Sequence, residues 1–243
     1  MVVFVSLATN YVLGGLALKY YKQCARLHLD PARLSSQCSD QFTGVSKQDK
    51  TIVALIGDSR IAQWRDLPER SDCVFANLGI GGQTSKEVLV RLRQTEWTTK
   101  PEIAIVQVGI NDLKYIGLFA YERKGIVETC RANLRDIVQL LAERNIHTVM
   151  LTMFPTGKCS IARSIIWPVD IDSVVREVND SIKALAGPMV TVVDCDTLLR
   201  KGNGINPKYY KDTLHLNNEG YAQLNAHIGP VLSKLTNIVG STK

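Results

Sequence analysis

The chain lacks the cysteine and histidine patterns that mark metal-binding modules. Its 243 residues include six cysteines and four histidines, but no cysteine pair has C-x-x-C spacing and no histidine stands at the spacing that zinc sites use. The cysteines are Cys24, Cys38, Cys73, Cys130, Cys159 and Cys195. We therefore predict no metal site and interpret most of the cysteines as free, buried thiols. A Cys24–Cys38 disulfide remains open if the protein faces an oxidising compartment.

The chain also lacks a basic face of the kind that binds nucleic acid. Its formal net charge is +6, and its lysines and arginines are interspersed with acidic residues instead of being clustered with aromatic ones. The sequence contains no internal repeat and no low-complexity segment. With 45% apolar residues, a chain of this length fills one hydrophobic core but not two large ones. We predict a single folded domain without a nucleic-acid partner.

One long hydrophobic run is present, at the N-terminus. Val2–Leu18 is apolar except for Ser6, Thr9 and Asn10, and residues 19–22 are two tyrosines between two lysines. The run has the minimum length for a helix that crosses a bilayer. A cleaved signal peptide fits less well, because no positive charge precedes the run and no small-x-small site follows it.

We favour a membrane anchor in residues 1–22, inserted through residues 2–18, over a signal peptide and over a helix packed on the domain. The expected location is a membrane, with the cell envelope favoured. Basic residues after the run favour a cytoplasmic domain, whereas a basic segment upstream would reverse the orientation, so the sidedness stays open. Residues 23–50 are polar, contain Pro, Ser and Gly, and are predicted to form a linker.

From residue 51 onward, apolar strands alternate with helices. The strands are rich in Val and Ile and lack polar alternation, which is typical of a parallel sheet covered on both faces. The predicted strands are Thr51–Ile56, Cys73–Leu78, Ile103–Val108, Thr148–Met153 and Val190–Asp194. Helices are predicted over Ser85–Trp97, Tyr121–Arg144 and Ile171–Leu185, and after Asn218. This order predicts a doubly wound α/β domain over residues 51–240.

Polar or glycine-containing stretches follow four of these strands. They are Gly57-Asp58-Ser59, Asn77–Ser85, Val108–Leu113 and, after the fifth strand, Lys211–Tyr221. Ligands of open α/β sheets bind beyond the carboxyl ends of the strands. We therefore expect the four stretches to face one crevice.

The residue types in these stretches are those of acyl-transfer chemistry. Ser59 is the candidate nucleophile, His215 the base that takes its proton, and Asp212 the acid that orients the imidazole. The backbone N–H groups of Ser59 and Gly82 and the side-chain amide of Asn111 are candidate donors to an oxyanion. Glycines 79, 81 and 82 fit neither a P-loop nor a G-x-G-x-x-G fingerprint, so a nucleotide site is not favoured.

The four blocks Gly57-Asp58-Ser59, Gly82, Gly109-x-Asn111-Asp112 and Asp212-x-x-His215 occur in the order typical of the SGNH (GDSL-like) hydrolase family, which the chain resembles over residues 52–221. The resemblance implies a three-layer α/β/α sandwich with a five-stranded parallel, flavodoxin-like sheet. It also implies hydrolysis of esters or thioesters without a cofactor. The roles it implies for the five site residues are those already given.

The shared blocks do not identify the substrate pocket. Arg60 stands where many members of the family carry an apolar residue, and either recognises an anionic or sugar-bearing group or pairs with a nearby acid. Ile110 and Trp167 are further candidates for substrate contact, the latter in the Ile-rich loop 154–170, which forms either an acyl-chain wall or part of the core.

We predict a serine ester hydrolase that acts on short acyl esters, such as acetyl groups of glycans, or on lipid esters. The alternatives are an acyltransferase with the same acyl-serine intermediate and a non-catalytic, membrane-tethered glycan-binding module. The oligomeric state stays open.

Overall fold

The Val- and Ile-rich runs form a five-stranded, wholly parallel sheet. A computed structural model describes residues 2–30, 50–158 and 166–241. The strands are β1 (Thr51–Gly57), β2 (Cys73–Gly79), β3 (Ile103–Gln107), β4 (His147–Leu151) and β5 (Val190–Val193). Their spatial order is β2-β1-β3-β4-β5, with each neighbouring pair parallel. The predicted fold class and all five predicted strands are confirmed.

Eight α-helices connect or flank these strands in the described parts of the chain. They are α1 (Val2–Leu29), α2 (Ser59–Ala62), α3 (Ser85–Gln94), α4 (Ile110–Lys114), α5 (Arg123–Glu143), α6 (Ile171–Lys183), α7 (Cys195–Leu198) and α8 (Asn218–Ser241). A small hairpin of β6 (Arg200–Lys201) and β7 (Gly204–Ile205) follows α7. Helices α3, α5 and α6 lie on one face of the sheet and α8 lies on the other, which completes three layers.

Strand β1 shows how the two faces are filled. Successive side chains of a strand point to opposite faces. Ile52 and Ile56 pack with the apolar side chains of α3, α5 and α6, whereas Val53 and Leu55 pack with those of α8. All four are fully buried, which explains why this central strand is apolar from Ile52 to Ile56.

Helix α1 differs from the N-terminal segment predicted from the sequence. It continues to Leu29, so the beginning of the predicted linker 23–50 is helical. Its last turns pack on the domain, where Ala25 is buried with Tyr115 and Leu118. Within the described residues, no helix combines the length and the apolar character needed to cross a membrane. The predicted anchor therefore has no support from the structure.

Two further predictions fall partly outside the described residues. Residues 31–49 contain Cys38, the proposed partner of Cys24, and residues 159–165 contain Cys159 and the centre of the loop 154–170. The other four cysteines carry free thiols, and all of these except Cys24 are buried.

Candidate active site

The end of β1 is shaped to present Ser59. A Cβ atom added to Gly57 would lie 2.0 Å from the carbonyl oxygen of Gln107 on β3, so only glycine fits between these strands. Asp58 follows as the N-cap of α2, and its carboxylate accepts a hydrogen bond of 2.9 Å from the backbone N–H of Arg60. Ser59 is therefore the first residue of a short helix that begins at the carboxyl edge of the sheet.

Three predicted residues form one hydrogen-bonded chain at this edge. The Ser59 Oγ lies 3.0 Å from the His215 Nε2, although the two residues are 156 positions apart in the sequence. The His215 Nδ1 lies 2.9 Å from Oδ2 of Asp212. The other carboxylate oxygen of Asp212 accepts from the backbone N–H groups of Leu214, at 2.6 Å, and His215, at 2.8 Å. The carboxylate thus fixes the conformation of the loop and the orientation of the imidazole ring.

The same contacts keep Asp212 ionised. Partial burial favours the neutral acid, but the imidazole of His215 and the N–H groups of His215 and Leu214 outweigh it and lower the pKa of Asp212 to about 2. Its carboxylate is therefore negatively charged across the neutral range, where it can stabilise a positive charge on the ring.

The loop after β2 approaches the same point. A Cβ added to Gly79 would lie 2.3 Å from the backbone nitrogen of Ala62, so the strand passes directly against α2. A Cβ added to Gly81 would lie 3.9 Å from Cβ of Ser59. Gly82 has a φ of +83°, in the region that favours glycine. The glycines of this loop therefore let its backbone turn beside the serine.

The loop after β3 is tied to the loop after β2 through Asn111. Its side-chain Nδ2 donates to the carbonyl oxygen of Gln83 at 2.9 Å. Its Oδ1 accepts from the ammonium of Lys114 at 2.9 Å. An amide NH₂ group has two hydrogens, and Gln83 engages one of them, so the amide can still donate to a ligand.

Asp112 is a buried brace beneath these loops. Its carboxylate accepts from the backbone N–H of Ser85 at 2.8 Å and from its hydroxyl at 2.6 Å. The amide of Asn133 on α5 donates to the same hydroxyl at 3.0 Å. Burial raises the pKa of Asp112 to about 7, against the opposing effect of the Ser85 hydrogen bonds. The residue fixes the start of α3 to α4 and is only 3% exposed.

The three residues predicted to contact the substrate are buried. Arg60 and Ile110 are fully inaccessible and Trp167 is 8% exposed. The Arg60 guanidinium donates to the carbonyl oxygens of Leu214 at 3.2 Å and Phe154 at 3.1 Å. Arg60 therefore stabilises the loop that carries His215. The sequence suggested that Arg60 recognises the substrate or pairs with an acid, and neither interpretation describes these contacts. Ile110 and Trp167 belong to the main hydrophobic core.

Sequence reasoning missed the contribution of α1 to this region. The hydroxyl of Thr84, which caps α3, donates to the carbonyl oxygen of His28 at 2.7 Å. The His28 ring lies 2.7 Å from Glu87. The T-x-x-E spacing of Thr84 and Glu87 could have revealed the capping box, but no local pattern indicated that the end of α1 lies against it.

The arrangement has the parts needed to activate a serine hydroxyl. A base is within hydrogen-bond reach of the hydroxyl, and a carboxylate orients the base. Within the described ranges, no group of three His, Cys, Asp or Glu side chains is placed to hold a metal ion.

Comparisons with known proteins assign the chain to a family. A sequence model of the GDSL-like Lipase/Acylhydrolase family matches residues 52–223. Platelet-activating factor acetylhydrolase IB subunit alpha1 from Bos taurus is 29% identical over 207 residues, 80% of this chain and 81% of the relative. A GDSL-like lipase structure from Bacteroides thetaiotaomicron has a TM-score of 0.62 at 22% identity, covering 89% of this chain and 97% of that one. An acetyl xylan esterase structure has a TM-score of 0.59 at 16% identity, covering 74% and 98% respectively. The chain belongs to the GDSL-like Lipase/Acylhydrolase family and is a carboxylic ester hydrolase.

Proposed function

We propose that the protein hydrolyses esters through an acyl-enzyme formed on Ser59. His215 takes the proton of the hydroxyl as its oxygen attacks the ester carbonyl, and then gives that proton to the departing alcohol. Water, deprotonated by the same imidazole, releases the acyl group from the serine. Asp212 orients the ring and stabilises its protonated form. The continuous contact from Ser59 through His215 to Asp212 is the observation that carries this proposal.

The oxyanion of each tetrahedral intermediate is proposed to be bound by three donors. These are the backbone N–H groups of Ser59 and Gly82 and the side-chain amide of Asn111. The start of α2 at Ser59, the positive φ of Gly82 and the second amide hydrogen of Asn111 support this assignment. A single donor of this kind contributes about 3 kcal/mol to transition-state stabilisation. Asn111→Ala is therefore expected to lower kcat by about a hundredfold or more.

The proposed substrates are esters of short acyl groups, with acetyl favoured. One relative is named an acetylhydrolase and one structural neighbour an acetyl xylan esterase. The first name refers to platelet-activating factor and the second to xylan. The shared feature is the acetyl group, and we extend only that feature to this chain.

A fluorophosphonate probe and p-nitrophenyl acetate test the proposed nucleophile. Wild type should be labelled by the probe and should hydrolyse the ester. Ser59→Ala should lose labelling, and both Ser59→Ala and His215→Ala should lose nearly all turnover by similar factors, because the two residues act as a unit. His227→Ala, an exposed histidine on α8, is the matched control and should retain wild-type activity. Labelling that persists in Ser59→Ala, or folded wild type that is neither labelled nor active, would overturn the proposal.

We also propose that α1 associates with a membrane surface. Most of the exposed large apolar side chains in the described chain lie on this helix, including Tyr11 (85% exposed), Val12 (58%) and Leu13 (57%). Such side chains gain free energy by entering the apolar part of a lipid interface. Full-length protein should sediment with phosphatidylcholine vesicles, and Leu13→Glu should weaken sedimentation without changing esterase activity. Val169→Glu, at another exposed apolar site, should sediment like wild type. Equal sedimentation of Leu13→Glu and wild type would refute the association.

A further inference from the structure

We propose that Lys114 is a positioning residue for the oxyanion site, which fixes and polarises the amide of Asn111. The inference rests on the proposed function of Asn111 as an oxyanion donor. Neither the four sequence blocks nor the comparisons assign a role to this lysine.

The geometry shows that the Asn111 amide is held at both ends. Its oxygen accepts from the Lys114 ammonium at 2.9 Å, and its nitrogen donates to the Gln83 carbonyl at 2.9 Å. Two hydrogen bonds at opposite ends of a planar group fix its orientation about the Cβ–Cγ bond. The direction of the second N–H is then set before any substrate binds. Such preorganisation is what makes an oxyanion donor effective.

The position of Lys114 on α4 and its neighbours explain why its side chain lies beside Asn111. It is in the last position of α4, three residues after Asn111, and residues at this spacing share one face of a helix. Its ammonium lies 4.9 Å from the centre of the Tyr115 ring. Tyr115 is itself buried against Ala25 at the end of α1. The lysine is therefore held between the amide and a buried aromatic face instead of extending freely into solvent.

The surroundings keep this charge effective. Partial burial lowers the pKa of Lys114, while the carboxyl groups of Asp58, Asp112 and Glu87 act in the opposite direction and favour the ammonium. A charge in such a partly dehydrated position is screened less than one in water. The hydrogen bond of 2.9 Å to Asn111 places the ammonium beside the proposed oxyanion donor.

Two physical effects follow from these contacts. A hydrogen bond from a cation to the amide oxygen withdraws electron density and makes the amide N–H a stronger donor. The fixed orientation of the amide also directs this N–H toward the oxygen that becomes negative in the transition state. Both effects act on kcat, because neither depends on binding the ground state more tightly.

A double-mutant cycle between Lys114 and Asn111 tests the inference. Lys114→Met removes the charge and the donor while keeping an unbranched apolar chain. We expect it to lower kcat for p-nitrophenyl acetate by roughly tenfold, with KM changed by less than about twofold. Lys114→Arg keeps the charge and should recover part of that loss. In an Asn111→Ala background, Lys114→Met should have an effect of less than about twofold, because residues that act through one another are not additive. Lys124→Met, an exposed lysine on α5, is the control and should be indistinguishable from wild type.

The outcomes separate this inference from the proposed function. If Asn111→Ala leaves kcat unchanged, the oxyanion assignment itself fails. If Asn111→Ala is impaired but Lys114→Met is not, only the role of Lys114 is refuted. An equal loss from Lys114→Met in both backgrounds would also refute it, because the lysine would then act independently of the amide. Thermal melting identifies a variant that is impaired by loss of folding; in that event Lys114→Gln, which keeps a polar side chain, is carried through the same cycle.

Discussion

Replacing Asp212 by asparagine separates its effect on the base His215 from its hydrogen bonds to the loop backbone. One carboxylate oxygen of Asp212 accepts two backbone N–H groups and the other faces the Nδ1 of His215 at 2.9 Å. Asparagine has the same shape, and its carbonyl oxygen can retain the two backbone hydrogen bonds. Its NH₂ group then faces Nδ1, so the favoured imidazole tautomer carries its proton on Nε2. That proton points toward Ser59, and the ring can no longer accept the proton of the hydroxyl.

The expected loss is large and leaves the fold intact. A wrong tautomer in a serine triad lowers kcat by about 10⁴-fold, which corresponds to about 5 kcal/mol. Removal of the serine or the base costs more, on the order of 10⁶-fold. Asp212→Asn should therefore be less impaired than Ser59→Ala or His215→Ala.

The effect of Asp212→Asn on stability should be modest and should depend on pH. The pKa of Asp212 is about 2 in the folded chain and 3.8 by reference, so its contribution is complete above about pH 4 and is lost as the pH falls toward 2. Because the side chain is 37% exposed, screening reduces this contribution to about 1 kcal/mol.

Steady-state hydrolysis of p-nitrophenyl acetate, together with thermal melting, provides the measurement. Asp136→Asn is a suitable control, since Asp136 belongs to an exposed ion pair with Arg93 on the surface. It should change neither kcat nor KM. If folded Asp212→Asn kept more than a tenth of wild-type kcat while His215→Ala was inactive, Asp212 would not be the residue that orients the base.

Two further predictions concern stability. Gly57→Ala should lower the free energy of unfolding by about 3 kcal/mol or more, because the added methyl would lie 2.0 Å from the Gln107 carbonyl oxygen and neither strand can move freely. Urea unfolding provides the measurement. The control is Gly125→Ala, in open space on α5, whose free energy of unfolding should match or exceed that of wild type. Asp112, with its pKa raised from 3.8 to about 7, binds its proton more tightly in the folded than in the unfolded chain. As the pH rises from about 4 to 7, the free energy of unfolding of wild type should therefore fall relative to that of Asp112→Asn, by about 4 kcal/mol in total. If the difference between the two proteins stayed constant over this range, the raised pKa of Asp112 would be contradicted.

Much of the fold was predictable because its signals are local. The run Ile52–Ile56 is apolar at every position, and a strand buried on both faces requires that pattern whatever its neighbours are. The carboxyl ends of parallel strands lie at one edge of the sheet. For this reason Ser59 and the loop of His215 could be expected to meet, and the structure has them 3.0 Å apart.

The substrate-contact predictions show where local signals were insufficient. Arg60 is polar and adjoins Ser59, which suggested a role toward the substrate, but its guanidinium reaches the carbonyl oxygens of Leu214 and Phe154 inside the protein. The residues it contacts are 154 and 94 positions away in the sequence. The local sequence pattern does not show which distant carbonyl groups will accept a hydrogen bond from the guanidinium.

The sequence by itself determined the order of strands and helices and the residue types at the strand ends. Only the tertiary structure decided that the end of α1 packs beside the cap of α3, that Arg60 is buried, and that Lys114 holds the Asn111 amide. The physical reason is that periodicity records which side of an element faces the core. The partner of a buried polar group, by contrast, is fixed only when distant elements pack together.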